Sequence, residues 1–163
     1  SKARSRVKGG KPIDWSMVKK GDVYSPGRAP NVVKKAFQIS GILEIQAGVD
    51  GVVLAHGGTQ VGYGLYLKGG NLMFSVSPGD GRLERVQVAV QPGKVSFEAG
   101  LDDKGFIFVR VQGGGTARSE SGKHWITKFP QESFSVGFDD AHPVDAKAPK
   151  ARLTGDLKEL LVN

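Results

Sequence analysis

The sequence predicts an all-β fold built as a two-layer antiparallel β-sandwich. Apolar residues alternate with polar residues in short runs along the chain, which is the side-chain period of a β-strand. The chain contains 24 Gly and 8 Pro, and many of them stand between these runs, where tight turns require them. No segment has the apolar period of a helix of ordinary length, and none approaches the roughly 18 consecutive apolar residues of a membrane-spanning helix.

The predicted strands follow one another at turn-marked intervals from residue 36 onward. The first covers residues 36–46, and the second is the apolar run Gly51–His56. The turn Gly69–Asn71 joins the next two strands, since its two glycines accept the positive φ of a tight hairpin. The predicted strands after the second are residues 63–68, 72–76, 85–90, 95–101, 106–111, 134–138 and 153–162.

Strand alternation assigns each side chain to one of two faces. The face predicted to form the core holds Leu65, Leu67, Leu72, Phe74, Val76, Val86, Val88, Val90, Val95, Phe97, Leu101, Ile107, Val109, Val111, Phe134, Val136 and Phe138. The reverse face, predicted to be wet, holds Lys68, Ser75, Arg85, Gln87, Ser96, Glu98, Arg110, Ser133 and Ser135. A two-layer sandwich requires one dry face and one wet face per sheet.

The net charge of +7 is not spread evenly over the sequence. Residues 1–35 carry ten Lys or Arg and two acids, whereas residues 36–163 carry thirteen Lys or Arg and fourteen acids. We therefore expect a basic linker or N-terminal arm at residues 1–30 and a nearly neutral sandwich domain at residues 31–163. A neutral body lacks the basic face of a nucleic-acid-binding domain, so no specific nucleic-acid partner is expected.

Five segments, taken in this order, resemble the laminin G-like domains of the concanavalin A-like superfamily. They are Gly51–Gly58, Gly62–Val76, Pro92–Phe97, Ser135–Asp140 and Leu153–Val162. The resemblance implies a jelly-roll sandwich, which agrees with the strand pattern.

The chain is also similar to the extra C-terminal domain of some bacterial arylsulfatases. The lead-in Asp14–Asp22, followed by Ala29–Val32, resembles the junction before such domains. The resemblance implies a non-catalytic accessory or carbohydrate-binding module of a sulfatase-like hydrolase. Its partner would be the parent catalytic domain or a carbohydrate, and its location secreted or periplasmic. The sulfatase nucleophile motif, Cys/Ser-x-Pro-x-Arg, has no counterpart, because Ser25–Arg28 has the wrong spacing.

Two other functions stay open at this point. One is a free-standing lectin-like or adhesive domain that binds calcium. The other is a glycosidase or lyase on the same sandwich, which is disfavoured because Glu44 and Glu98 have no companion carboxylate on the same predicted strand. No Gly-x-Ser-x-Gly elbow occurs either, so no catalytic residue is predicted.

A carbohydrate site needs an aromatic platform beside hydrogen-bonding side chains. By strand alternation Tyr66 and Phe108 lie opposite the core, with Gln87 and Arg110 as polar neighbours. Trp125 stands in a polar loop. These five residues are the predicted ligand-binding set. The alternative is that the rings cover the second face of a sheet or pack on the N-terminal segment.

Asp139, Asp140 and Asp145 form the candidate metal site. They follow a predicted strand within one loop, and calcium prefers several carboxylate and carbonyl oxygens. The resemblance agrees with calcium, since many laminin G-like domains bind it near the sandwich rim. The alternative is that these loop aspartates cap turns. No other cofactor is expected, because the chain has no Cys and its three His lack metal-motif spacing.

Overall fold

The computed structural model describes residues 10–163, which form two antiparallel β-sheets packed face to face. The predicted all-β sandwich is confirmed. The first part of the predicted basic arm, residues 1–9, lies outside the described residues. Within residues 10–163 no helix is long and apolar enough to cross a membrane.

The described residues form eleven strands and one short helical turn. The 3₁₀ turn spans Trp15–Met17, and Asp14 caps it by accepting a hydrogen bond from the Ser16 amide at 3.1 Å. The strands are β1 (Val23–Tyr24), β2 (Phe37–Ile45), β3 (Gly51–Gly57), β4 (Gly62–Lys68), β5 (Asn71–Ser77), β6 (Glu84–Ala89), β7 (Gly93–Leu101), β8 (Ile107–Val111), β9 (Thr116–Arg118), β10 (Phe134–Val136) and β11 (Asp156–Val162). The sequence pattern predicts all of them except the two short strands β1 and β9.

The six-stranded sheet has the order β1-β10-β3-β4-β5-β6, and the five-stranded sheet has the order β11-β2-β7-β8-β9. β4 and β5 pair through the predicted hairpin, in which Gly69 and Gly70 have φ of 58° and 81°. Two successive positive φ values are typical of the type I′ turn, whose twist matches that of the strands it joins.

The inner faces of the two sheets form the main hydrophobic core, as strand alternation predicts. Leu65 and Phe97, for example, are 0% and 3% exposed. Phe138 differs from the prediction, since it is only half-buried and carries the Arg152 guanidinium 4.3 Å from its ring centre. The reason is that Gly137 has a φ of 81°, which breaks the alternation just after β10.

The predicted boundary at residue 31 does not separate an arm from a body in the described chain. β1 pairs with β10 at the edge of the six-stranded sheet. Trp15 meets the ring of Phe134 edge-on, with ring centres 5.8 Å apart. Ala29 is 1% exposed and belongs to the main core. Residues 15–30 are therefore an integral part of the domain.

The outer face of the six-stranded sheet is covered by residues 139–152, which we call the covering segment. Ala148 of this segment packs on an apolar patch of the sheet formed by Val52, Ala55, Tyr66 and Met73. Ser75 and Ser135 are predicted to face water but are buried, at 0% and 1% exposed. The prediction is wrong for these two residues because the covering segment lies over them. Asp145 accepts a hydrogen bond from the Ser75 hydroxyl, and the Asp140 amide donates one to the Ser135 hydroxyl oxygen.

Candidate ligand-binding face

The outer face of the five-stranded sheet, here called the open face, has no such cover among residues 10–163. One row of side chains crosses four of its strands: Ser40 lies opposite Glu98, and Glu98 opposite Arg110. Arg110 in turn lies opposite Thr116. Cross-strand neighbours have Cβ atoms about 4.5–5.5 Å apart, so the row is a continuous polar surface.

A groove of about 470 Å³ lies over this row. It offers hydroxyl, carboxylate, guanidinium and amide groups beside a smaller apolar surface. The lining residues are Ser40, Gly41, Ile42, Ser96, Phe97, Glu98, Arg110, Val111, Gln112, Thr116 and Glu159. Its volume lies within the roughly 300–1,000 Å³ typical of small-molecule sites, so it can hold a ligand of that size.

Three polar side chains beside the groove hold one another in place. Arg110 Nε donates to Glu98 Oε1 at 2.5 Å, and Arg110 Nη2 donates to Gln38 Oε1 at 3.3 Å. Gln38 Nε2 donates to the second carboxylate oxygen of Glu98 at 3.2 Å. The Arg110 guanidinium also lies 4.6 Å from the ring centre of Phe108, a cation–π contact. These contacts hold the donors of Arg110 and the acceptors of Glu98 in fixed positions. The Arg110 side chain is still 44% exposed, so a ligand can reach it.

The structure places the five predicted ligand-binding residues on different surfaces. Phe108 and Arg110 are in contact on the open face. Gln87 is exposed on β6 of the other sheet, opposite Met73 of β5. Trp125 is half-buried in the loop between β9 and β10. The five residues therefore do not form one site. Strand alternation predicts which side of its own sheet a residue occupies, but it does not predict which sheets or loops lie next to one another.

Tyr66 is the clearest correction to the predicted set. It is 0% exposed on the covered side of the six-stranded sheet, so it offers no ring to a sugar. Gly64 makes room for it, since a Cβ at Gly64 would lie 2.0 Å from the Tyr66 hydroxyl oxygen. Burial raises the pKa of Tyr66 far above its usual value, and the nearby carboxylates of Asp139 and Asp145 add to the rise.

Asp145, a predicted calcium ligand, instead forms a buried ion pair. Its two carboxylate oxygens accept hydrogen bonds from Arg85 Nε at 2.6 Å and Arg85 Nη2 at 2.8 Å. The Ser75 hydroxyl donates a third at 2.7 Å. Burial opposes ionisation of Asp145, but the hydrogen bonds from Arg85, the Lys147 amide and Ser75 outweigh it and hold its pKa below the usual value. The ion pair anchors the covering segment to the sheet.

Asp139 and Asp140 begin the covering segment and are held by local hydrogen bonds. Asp139 Oδ1 accepts from the Ala141 amide at 2.9 Å, and Asp140 Oδ2 accepts from the Ser133 hydroxyl at 2.8 Å. Burial raises the pKa of Asp139, and the charge of Asp140 adds to the rise. In the described part of the chain no three His, Asp or Glu side chains are grouped to hold a metal ion. Calcium binding at Asp139 and Asp140 stays a prediction.

Gln38 and Glu159 are two of the residues on this face that the sequence-based prediction does not include. The signal for Gln38 is present, since it alternates with core residues in the first predicted strand. Glu159 carries no such signal. The pairing of β11 with β2 shifts between Lys158 and Leu161, and a bulge of this kind re-aims a side chain in a way that alternation does not anticipate.

No family model matches the sequence, and neither does any curated protein. Solved structures do match the fold. Domains LG4-5 of the mouse laminin α1 chain share 20% identity with a TM-score of 0.63, over 89% of this chain and 40% of that one. The chain has a laminin G-like jelly-roll fold.

Two further solved structures match the fold. The CBM40 of a Ruminococcus gnavus IT-sialidase, bound to α2,3-sialyllactose, shares 13% identity with a TM-score of 0.59 over 89% of this chain and 86% of that one. A botulinum neurotoxin type C structure, described by its interaction with two ganglioside molecules, shares 8% identity with a TM-score of 0.58 over 81% and 33%. This chain thus spans less than half of the laminin and toxin chains. Identities this low establish the fold alone, and none of these three structures is a sulfatase domain.

Proposed function

We propose that this chain is a non-catalytic carbohydrate-binding module whose ligand occupies the groove of the open face. The observation that carries the proposal is the contrast between the two outer faces. The covering segment lies over the apolar patch of one face, whereas the other face presents a groove of about 470 Å³ with fixed hydrogen-bonding groups. Ligand sites typically combine such a concave surface with a few well-placed polar groups. The fold similarity to a CBM40 bound to sialyllactose supports a carbohydrate as the ligand class.

Arg110 is the central recognition residue in this proposal. Its planar guanidinium has five N–H donors, of which one is used by Glu98 and one by Gln38. The others are available to the oxygens of a sugar. Because Phe108 supports one side of the guanidinium, its rotamer is largely set before a ligand arrives, which lowers the entropy lost on binding.

A glycan array followed by calorimetry tests the proposal. We expect Arg110→Gln to weaken binding of the selected glycan by about tenfold or more. Arg82→Gln is the matched control. Arg82 also pairs with a carboxylate, that of Asp80 at 2.7 Å, and is 52% exposed, but it lies in the turn between β5 and β6. A blank array would refute carbohydrate binding. Equal affinities of Arg110→Gln and Arg82→Gln would show that the ligand does not bind at the open face.

A sulfatase-like parent enzyme, secreted or periplasmic, is a second and finer part of the proposal. It rests on the sequence resemblance of the lead-in Asp14–Asp22 and of the closing segment Leu153–Val162. The full reading frame of the gene tests it. An adjoining sulfatase domain is the expected result, whereas a reading frame without one would favour a free-standing lectin-like or adhesive domain.

A further inference from the structure

A β-bulge builds one wall of the groove on the open face. The register of β11 against β2 shifts between Lys158 and Leu161. Leu160 points into the core at 4% exposed, whereas Glu159 is exposed and lines the groove. In an unbroken strand, Glu159 would face the side opposite to Lys158, which is the core side. The bulge is therefore what brings this carboxylate to the ligand surface.

The backbone at Glu159 is strained. Its φ is 54°, in the left-handed region that is unfavourable for residues with a Cβ and natural for glycine. Strained residues of this kind concentrate at functional sites. Among residues 10–163 the Glu159 carboxylate has no hydrogen-bond or ion-pair partner, so both of its oxygens can accept hydrogen bonds from a ligand.

The charges that line the groove indicate which ligand it prefers. They are two carboxylates, Glu98 and Glu159, and one guanidinium, Arg110, for a net charge of −1. Arg110 is already paired with Glu98, which leaves the carboxylate of Glu159 as the uncompensated charge. A sialylated or sulfated glycan would bring a second negative charge close to it, which is unfavourable. A neutral sugar instead brings hydroxyl donors, whose hydrogen bonds to a carboxylate are strengthened by its charge.

Resting on the proposed function, we infer that the groove takes an uncharged saccharide and that Glu159 contacts it and selects against anionic glycans. Sugar hydroxyls donate to the carboxylate of Glu159 and accept from the guanidinium of Arg110. The hydroxyls of Ser40, Ser96 and Thr116 supply weaker contacts along the floor. The carboxylate of Glu159 thus determines the preference of the groove for uncharged ligands.

Matched sets of neutral and anionic glycans test the charge preference. An array carries lactose beside 3′-sialyllactose and 3′-sulfolactose, together with other neutral oligosaccharides and their sialylated and sulfated forms. We expect neutral forms to bind about tenfold or more tightly than their anionic forms, with little dependence on salt. Binding of anionic forms alone would overturn the inference and leave the proposed function standing. A blank array would overturn both.

The variant Glu159→Gly tests the residue itself, since it removes the carboxylate and relieves the backbone strain together. We expect the affinity for the selected neutral glycan to fall about tenfold, equal to about 1.4 kcal/mol. The melting temperature should stay unchanged or rise by up to about 3 °C. Lys123→Gly is the control, because Lys123 is also exposed with a φ of 65° but does not line the groove. It should show the same thermal behaviour with unchanged affinity.

A second substitution separates charge from shape. Glu159→Gln keeps the size of the side chain and removes its charge, so it should narrow the preference for lactose over 3′-sulfolactose. Unchanged affinity in Glu159→Gly, or unchanged preference in Glu159→Gln, would remove Glu159 from the ligand site.

Discussion

The outer faces of the two sheets differ in their exposure to solvent. On the six-stranded sheet the outward residues Val52, Tyr66 and Met73 are apolar, and the covering segment seals them from water. On the five-stranded sheet the outward residues Ser40 and Glu98 are polar and remain accessible. The covered face also holds polar residues, since Ser75 and Ser135 are buried there. The comparison teaches that the position of the covering segment, and not the polarity of single outward residues, decides which face meets water.

An Arg–carboxylate pair on the covered face, Arg85–Asp145, differs in exposure from one on the open face, Arg110–Glu98. The Arg85–Asp145 side chains are 29% and 1% exposed, whereas the Arg110–Glu98 side chains are 44% and 41% exposed. Breaking a buried pair leaves an uncompensated charge in a medium of low dielectric constant. An exposed pair is screened by water and contributes little to stability. The first pair therefore holds the fold together, while the second is available for recognition.

The largest effect is expected from Asp145→Ala, which removes the anchor of the covering segment. Arg85 and the buried Ser75 hydroxyl would lose their acceptor, so the free energy of unfolding should fall by about 2–4 kcal/mol. Chemical denaturation at neutral pH measures the change. The control is Glu98→Ala, which breaks the pair on the open face and should change stability by less than about 1 kcal/mol. Equal losses in the two variants would erase the distinction between the faces.

A smaller loss is expected from Gly64→Ala, which tests the packing under the covering segment. The new methyl group would lie 2.0 Å from the hydroxyl oxygen of the buried Tyr66, and overpacking of this kind lowers stability by about 1–3 kcal/mol. Adding Tyr66→Phe removes the clashing oxygen and should restore part of the loss in a double-mutant cycle. Strict additivity of the two changes would show that Tyr66 is free to move away.

The smallest expected effect is on stability at two aspartates of the covering segment. The same Asp→Asn substitution should raise the free energy of unfolding at one position and lower it at the other. Asp139→Asn should raise the stability at pH 7, by at most about 1 kcal/mol, because burial raises the pKa of Asp139 in the folded state. Asp145→Asn should lower it, because the pKa of Asp145 is held below its usual value. The ionised Asp145 stabilises the fold above the unfolded pKa, and this stabilisation is lost as the pH falls through the lowered folded pKa.

Denaturation curves between about pH 2 and pH 7 distinguish these signs. The difference for Asp139→Asn should shrink as the pH falls from the raised folded pKa of Asp139 to the unfolded pKa of about 4. The difference for Asp145→Asn should shrink only below about pH 4, as the pH falls toward the lowered folded pKa of Asp145. A destabilising Asp139→Asn would show that the Asp139 carboxylate has a favourable partner. Calcium is one candidate for that partner. Calcium binding would be established if millimolar calcium raised the melting temperature of the unsubstituted chain and Asp139→Asn abolished that rise. If calcium left the melting temperature of the unsubstituted chain unchanged, the predicted metal site would be wrong.

Individual residues show how far sequence reasoning reaches. The hairpin at Gly69 and Gly70 is predicted because turn geometry depends on adjacent residues. Phe108 and Arg110 are placed correctly on an outward face, since the period of a strand is also local. Tyr66 obeys the same rule and is nevertheless buried, because the segment that covers it comes from elsewhere in the chain.

The amino-acid pattern alone determined nine of the eleven strands and most residues of the inner faces, because side-chain alternation and positive-φ turns are properties of neighbouring residues. Only the tertiary structure decided which outer face is closed. Asp145 reaches Arg85 and Ser75 across 60 and 70 residues of sequence, a distance over which no local pattern carries information. The tertiary structure also decided the net charge of the groove. A shift in the pairing of β11 with β2, and not the strand period, turns Glu159 toward the groove.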